Sequence, residues 1–192
     1  MNTKTRKDQI IKISAKLFKE KGYSAVTMRD IAKALDIKAA SLYNHITSKQ
    51  DILKYVIISL AEEFTNAMNS IHSSSESNIH KLHQIIALHV DIAHRNPYEM
   101  ASLNNNWMHL EKDVSYFLEL RESYENNFRN IINQGIASGE LTNLNSEVML
   151  FSILSTLRNL YMWIPKKDDV NPTEISISLS HILIQGIIIN NK

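Results

Sequence analysis

The sequence predicts an all-α protein, and three observations carry the prediction. Four Gly and three Pro among 192 residues leave too few turn formers for an all-β fold. Leu, Ile, Ala, Lys and Glu fill long stretches in which apolar residues recur every three or four positions, the spacing of one helix face. Helix-start signatures, a Ser, Thr or Asn with an acid three residues on, then divide the chain. With 44% apolar residues, the chain can bury a substantial core as one small and one larger helical domain, about nine helices in all.

The first helix is expected from about Lys4 to Lys21, with Ile10, Ile13, Ser14, Leu17 and Phe18 on its buried stripe and Gly22 as its stop. Thr27 and Asp30 form a capping pair, so a helix opens at Met28 and turns Ile31, Ala32 and Leu35 inward. Asp36 stands at the turn, where Asp tolerates the left-handed conformation that Gly usually supplies. A short helix from about Lys38 to Asn44 is anchored by Leu42. Ser48 and Asp51 repeat the cap and open a longer helix from Lys49 to about Ile71, carrying Leu53, Val56, Ile57, Leu60, Phe64 and Met68. The polar stretch Ser73 to Ser77 is a loop, and Asn78 to about Arg95 is the next helix. Asn96-Pro97-Tyr98-Glu99 and Asn171-Pro172-Thr173-Glu174 each place a cap, a first-turn proline and an acid in sequence, so each starts a helix. Between them, one helix runs from Asp113 to about Ser138, closed by Gly139, and another from Ser146 to Ile164, stopped by Pro165.

Two short helices joined by a tight turn and followed by a third helix start, over Thr27 to Lys49, form a device for reading DNA. Small, polar and aromatic side chains at Lys38, Ala39, Ala40, Ser41, Tyr43 and Asn44 suit entry of a helix N-terminus into the major groove, where base edges are read and hydroxyls and cations hold phosphates. Lys49 sits at a helix start that welcomes a phosphate. Charge agrees. Residues 1–50 carry eleven Lys and Arg against four acids, a net +7, whereas residues 51–192 carry a net −6. A basic end on an acidic body is the electrostatic footprint of a one-ended nucleic-acid binder.

Ile10, Ala15, Leu17, Phe18, Gly22, Tyr23, Thr27, Arg29, Asp30, Ile31, Ala32, Leu42, Tyr43, His45, Lys49 and Leu53 stand in an order and spacing that resembles the N-terminal domain of the TetR/AcrR family of bacterial transcriptional regulators. The resemblance covers roughly the first fifty-five residues. It implies a helix-turn-helix DNA-binding domain over 1–48 and a helical effector-binding and dimerisation domain over 49–192. DNA contacts are then expected at Thr27, Met28, Arg29, Lys38, Ala39, Ala40, Ser41, Tyr43, Asn44, His45 and Lys49. The chain departs from the family pattern at Asp36 (a turn Gly), Lys38 (a small hydroxyl residue), Ala40 (a frequent Gly) and Ile46 (Phe), so its operator is expected to differ from those of relatives.

Val148, Leu150, Phe151, Ile153, Leu154, Leu157, Leu160, Tyr161 and Trp163 leave little polar face on the helix 146–164, and nine Ile and Leu between Ile175 and Ile189 leave less on the helix 172–189. A helix apolar nearly all round is buried on two sides, so these two are expected to pair with their copies across a two-fold axis, giving a homodimer on a palindromic operator. By the resemblance, Tyr98, Leu103, Trp107, Met108, Tyr124, Phe128, Arg158 and Met162 fall in helices that surround an effector cavity. The stretch from Leu120 to Leu141, with Trp107 before it and Asn159 to Trp163 after it, is similar to a subgroup responding to acyl-CoA-like thioesters, in which Arg121, Arg129 and Arg158 would meet anionic parts of a ligand.

A rival reading is a helical metal-sensing or ligand-binding protein. His80, His83, His89, Asp91 and His94 share one helix, and His80/His83 and Asp91/His94 have the i, i+3 spacing that two ligands of one metal can use. Only pairs are visible where a metal needs three or four ligands, so no cofactor is expected. No nucleophile–base pairing, phosphate loop or HExxH pattern supports catalysis. Zero Cys excludes disulfides and thiolate sites, no signal-peptide pattern opens the chain, and the apolar run Ile182–Ile189 is too short to span a bilayer. The expectation is a cytoplasmic protein with no membrane partner.

Overall fold

The structure is a computed structural model that describes residues 5–167 and 171–188; the expected helix limits at Lys4 and Ile189 lie outside them. Its helices are α1 (Arg6–Lys21), α2 (Met28–Ala34), α3 (Ala39–Leu42), α4 (Lys49–Ser73), α5 (Asn78–Arg95), α6 (Pro97–Asn105), α7 (Val114–Ala137), α8 (Ser146–Arg158), α9 (Leu160–Trp163) and α10 (Pro172–Gln185), with 3₁₀ turns at Trp107–His109, Glu111–Asp113 and Ile164–Lys166. The fold is all-α, and with α8 and α9 taken as one interrupted helix the described residues form nine helices. The chain groups into two compact units, Met1–Glu62 with Tyr98–Leu118 and Glu63–Pro97 with Glu119–Lys192.

In the first unit, Ile10, Phe18, Val26, Ile31, Leu42, Ile46, Ile52, Leu53 and Val56 are buried, so α1 to α3 and the start of α4 share one core. Thr5 and Thr27 each close a full capping box with the Asp three residues on. The Thr27 hydroxyl accepts from the Asp30 N–H at 3.2 Å and donates to its carboxylate at 2.6 Å. The hydroxyl bond to the carboxylate first, and then the Thr27 N–H, which donates to the same carboxylate at 2.8 Å, hold the Asp30 carboxyl below the usual carboxylate range. Asp36 is left-handed as expected, at φ 53°. Residues 98–118 close this unit. The Tyr23 hydroxyl donates to Gln50 Oε1 at 2.6 Å, Gln50 Nε2 donates to the His109 carbonyl at 2.6 Å, and Lys54 meets Asp113 at 2.7 Å.

In the second unit, α5 packs most extensively against α10 and turns Leu82, Ile85, Ile86, His89, Val90 and Ala93 inward. Phe128, Ile131 and Ile132 of α7 and Met149, Ile153, Leu154 and Leu157 of α8 complete the core. Glu140 accepts from Asn78 Nδ2 at 2.7 Å and from the Ile79 N–H at 3.2 Å, pinning the start of α5 to the loop after α7.

Three expected boundaries change in the second unit. The helix expected over 146–164 is interrupted at Asn159, whose side-chain amide donates to the Ser155 carbonyl at 2.7 Å and so competes with the backbone ladder. Pro165 falls inside the 3₁₀ turn, after α9 has already ended. The last helix stops at Gln185, because Gly186 follows and Ile188 turns extended to bridge Leu141.

Candidate nucleic-acid interface

The reading surface is built by the α2–α3 turn. Asp36 in the left-handed conformation lets the Ile37 N–H return to the Ala32 carbonyl at 3.0 Å, which reverses the chain within a few residues. Lys38 then precedes α3 in extended backbone and makes no side-chain cap bond, so its ammonium is not tied to the helix it introduces. The helix expected over 38–44 is shorter, Ala39–Leu42. Beyond Leu42 the His45 N–H takes the Leu42 carbonyl at 3.0 Å in a tightened turn while Leu42 and Ile46 anchor both sides of it in the core.

That short segment leaves Lys38, Ala40, Ser41, Tyr43, Asn44 and His45 exposed and Ala39 half-buried, with Tyr43 at 54%. Arg29, Lys33, Asp36, Lys38 and Ala39 line a shallow concavity of about 600 Å³ beside it. Arg29 is exposed, Met28 is half-buried, and Thr27 is engaged with Asp30. Lys49 is placed differently from the rest. Its ammonium donates to the carbonyls of Tyr23 and Val26 at 2.8 Å and of Ser24 at 3.4 Å, and lies 4.4 Å from the centre of the Tyr23 ring. A Lys has three donors, and here all three meet the loop between α1 and α2.

The residues expected around an effector divide between the two units. Tyr98, Leu103, Trp107 and Met108 belong to the first, where Trp107 stacks on Phe117 at 5.8 Å, the Lys19 ammonium lies 5.3 Å from the Tyr98 ring centre, and Met108 is exposed. Tyr124, Phe128, Arg158 and Met162 belong to the second. Tyr124 and Phe128 are buried with ring centres 6.5 Å apart, and Met162 is exposed. The three arginines suggested for an anionic ligand meet carboxylates: Arg121 and Arg158 reach Glu125 at 3.1 and 2.5 Å, and Arg129 makes a two-pronged pair with Glu147. Burial raises the Glu125 carboxyl, but the bonds from Arg158 and Arg121 outweigh it and leave it low.

The α5 histidines do not converge. His89 is buried and bonds Tyr124, Asp91 pairs with Arg95 at 2.8 Å, and among the described residues no group of three His, Cys, Asp or Glu is placed to hold a metal. The partnership of His89 with Tyr124 was not visible in the one-helix spacing of the histidines, because its other half lies 35 residues away.

A helix-turn-helix that offers small, polar and cationic side chains to solvent, carried by an all-α chain, defines the class of DNA-binding regulators. Residues 10–56 match bacterial regulatory proteins of the tetR family, and residues 75–187 match the tetracyclin repressor-like C-terminal domain. The chain belongs to the TetR family of bacterial transcriptional regulators, which are DNA-binding proteins and not enzymes. It is similar to IcaR of Staphylococcus aureus strain Newman, the negative regulator of the icaADBC biofilm operon, at 38% identity over 80 residues. That stretch is 42% of this chain and 43% of IcaR, so the match spans about two fifths of the curated relative's length. The structure of the ketosteroid transcriptional regulator KstR2 of Mycobacterium tuberculosis shares the fold, with a TM-score of 0.90 at 19% identity over 99% of this chain and 97% of that one. So does AibR in complex with isovaleryl coenzyme A and operator DNA, with a TM-score of 0.76 at 18% identity over 93% and 97%. Among the described residues, no helix is long and apolar enough to cross a membrane.

Proposed function

We propose that this protein is a cytoplasmic repressor that binds a palindromic DNA operator as a homodimer, through residues 1–48, and releases it when a small apolar effector binds within residues 49–192. The observation that carries the reading is the exposed series from Lys38 to His45, held against the α2–α3 turn by buried Leu42 and Ile46. Arg29 and Lys38 supply charge for phosphate or guanine, and Ala39, Ala40, Ser41, Tyr43, Asn44 and His45 supply a surface of mixed size for base edges. Thr27 and Met28 position the start of α2 behind them.

Dimerisation is supported by apolar side chains left exposed on the last helices. Val148 and Phe151 of α8, Met162 and Trp163 of α9, and Ile177 and Ile182 of α10 face solvent in the single chain. Between these helices runs a groove of about 780 Å³ lined by Leu160, Trp163, Ile175, Leu179 and Ile182 among others. An identical helix pair is a self-complementary occupant under two-fold symmetry.

Release by an effector is supported by the membership of the first unit. Tyr98, Leu103, Trp107 and Met108 lie in the segment that bonds Gln50 and Lys54 of α4, so a ligand that shifts this segment acts on the DNA-reading unit itself. A coupling of about 1 to 3 kcal/mol is typical of such linkage. An acyl-CoA-like thioester is the effector class we favour, in line with the isovaleryl coenzyme A held by AibR. Repression follows the sign of IcaR, a negative regulator. A gel shift against the DNA flanking the protein's own gene tests the reading: a palindrome-dependent complex is expected, and equal affinity for random DNA would overturn it.

A further inference from the structure

Between α6 and α7 the first unit holds a strained segment. Residues 107–113 form two 3₁₀ turns back to back, joined at fully buried Leu110. Such turns bond less well than an α-helix, and a run of them between two helices often marks a hinge. Glu111 adds to the strain, because it is left-handed at φ 50°. Its Cβ makes that region unfavourable, and Glu lacks the short side chain with which Asp or Asn bonds locally in compensation. A conformation of this kind persists only where its surroundings hold it.

Those surroundings meet at Gln50. One amide makes both bonds: its Oε1 accepts from the Tyr23 hydroxyl and its Nε2 donates to the His109 carbonyl, each at 2.6 Å. The Tyr23 ring closes the circuit by stacking on the His109 imidazole at 5.1 Å. The same ring meets Phe18 of α1 edge-on at 5.1 Å and faces the Lys49 ammonium, so it gathers α1, the start of α4 and the turn 107–109. Tyr23 opens the loop whose carbonyls Lys49 binds and which ends at Thr27, the cap of α2. Gln50 therefore joins a strained turn to the loop that sets the start of α2. Among neutral side chains of its length, only an amide both donates and accepts in this way.

We propose that Gln50 is a positioning residue for DNA reading, latching residues 107–113 to the α1–α2 loop, and that opening of this latch, with release of Glu111 from the left-handed region, withdraws α2 and α3 from the reading position. The inference rests on the effector-released regulator above and names how release is transmitted. An effector acts by favouring the open turn, toward which the strain at Glu111 already leans.

Substitutions of opposite sign in the full chain test this. Gln50→Met keeps length and neutrality but makes neither bond; Tyr23→Phe keeps the ring and its stack and removes the hydroxyl bond alone. In gel shifts on the palindrome flanking the protein's own gene, affinity is expected to fall about tenfold in Gln50→Met and about threefold in Tyr23→Phe, with random DNA changed less than about twofold. Glu111→Gly relieves the strain and is expected to recover about threefold in the Gln50→Met background, whereas Glu111→Gln removes only the charge and recovers none. With Trp163→Phe leaving Trp107 as the single tryptophan, acrylamide quenching reads the latch without DNA: stronger in Gln50→Met, and reversed by Glu111→Gly. Operator binding by Gln50→Met equal to that of the wild type, or a loss that Glu111→Gly does not reverse, overturns the proposal. A wild type that binds random DNA as well as the palindrome sinks the regulator reading instead, and quenching equal in wild type and Gln50→Met sinks the latch on its own.

Discussion

The ammonium of Lys49 sits 4.4 Å from the centre of the Tyr23 ring while donating at 2.8 Å to the Tyr23 carbonyl, so the first residue of α4 fastens the loop that leads into α2. The expectation from sequence is a phosphate contact, whose loss lowers the salt slope of DNA binding by about one. The bonds to Tyr23, Ser24 and Val26 instead make it a clamp. Lys49→Ala is therefore expected to reduce stability by about 1 to 2 kcal/mol in urea titration. It should weaken operator binding while shifting the salt slope by less than one, and a full unit of slope with unchanged stability would restore the phosphate role.

Arg29 and Lys38 line the same concavity, yet they are expected to respond differently. Arg29→Ala should weaken all sequences alike and lower the salt slope by about one, as removal of a phosphate partner does. Lys38→Ala and Ser41→Ala should change which bases are preferred, by about 1 to 3 kcal/mol at the affected position. Binding of a randomised operator library reads both effects, and equal losses on specific and random DNA would show that the recognition surface lies elsewhere.

Asp36 holds φ 53° at a turn where the left-handed region is unfavourable for any residue with a Cβ. Asp36→Gly removes that strain and is expected to stabilise the first unit by about 0.5 to 1 kcal/mol, since glycine's own chain-entropy penalty takes back part of the gain. Urea midpoints measured at constant m-value report the difference.

The helix starts were legible because a capping box is local: Thr27 and Asp30 are three residues apart and need no tertiary partner. The left-handed Asp36 was legible for the same reason. What was not legible depends on distant chain. Lys49 meets carbonyls 23 to 26 residues before it, His89 meets a tyrosine 35 residues after it, and Gln50 reaches the His109 carbonyl 59 residues away. The break at Asn159 was local but hidden, because an Asn amid apolar helical spacing gives no sign of which way its amide turns.

Phe151 and Ile182 are each 70% exposed in the single chain, the largest apolar exposures on α8 and α10. In the proposed dimer they are buried, and Asp at either position places an unpaired carboxylate in the interface. Phe151→Asp and Ile182→Asp are expected to weaken association by about 3 kcal/mol, roughly two orders of magnitude. Light scattering at micromolar concentration should then read the 22.0 kDa of one chain where the wild type reads twice that. A monomeric wild type would remove the basis for two-half-site reading.

The buried imidazole of His89 also ties stability to pH. Burial first, and the Arg158 charge second, lower it from an ordinary value near 6.5 to about 3. The folded chain keeps this ring neutral while the unfolded chain takes up a proton below about pH 6.5. The unfolded state therefore binds more protons, and stability that is fully present above 6.5 is lost as pH falls toward 3. Between pH 6.5 and 5 the loss from this one group is about 2 kcal/mol. His83, lowered by burial and then by His80, adds to the slope in the same direction. The lowered carboxyls of Asp30, Glu140 and Glu147 contribute only as their unfolded counterparts protonate, near pH 4.5 and below. Urea titrations at pH 6.5 and pH 5 on the wild type and on His89→Phe isolate the term, because His83 is common to both. The wild type is expected to lose about 2 kcal/mol more than the variant over that interval, and parallel losses would mean that His89 takes its proton in the folded protein.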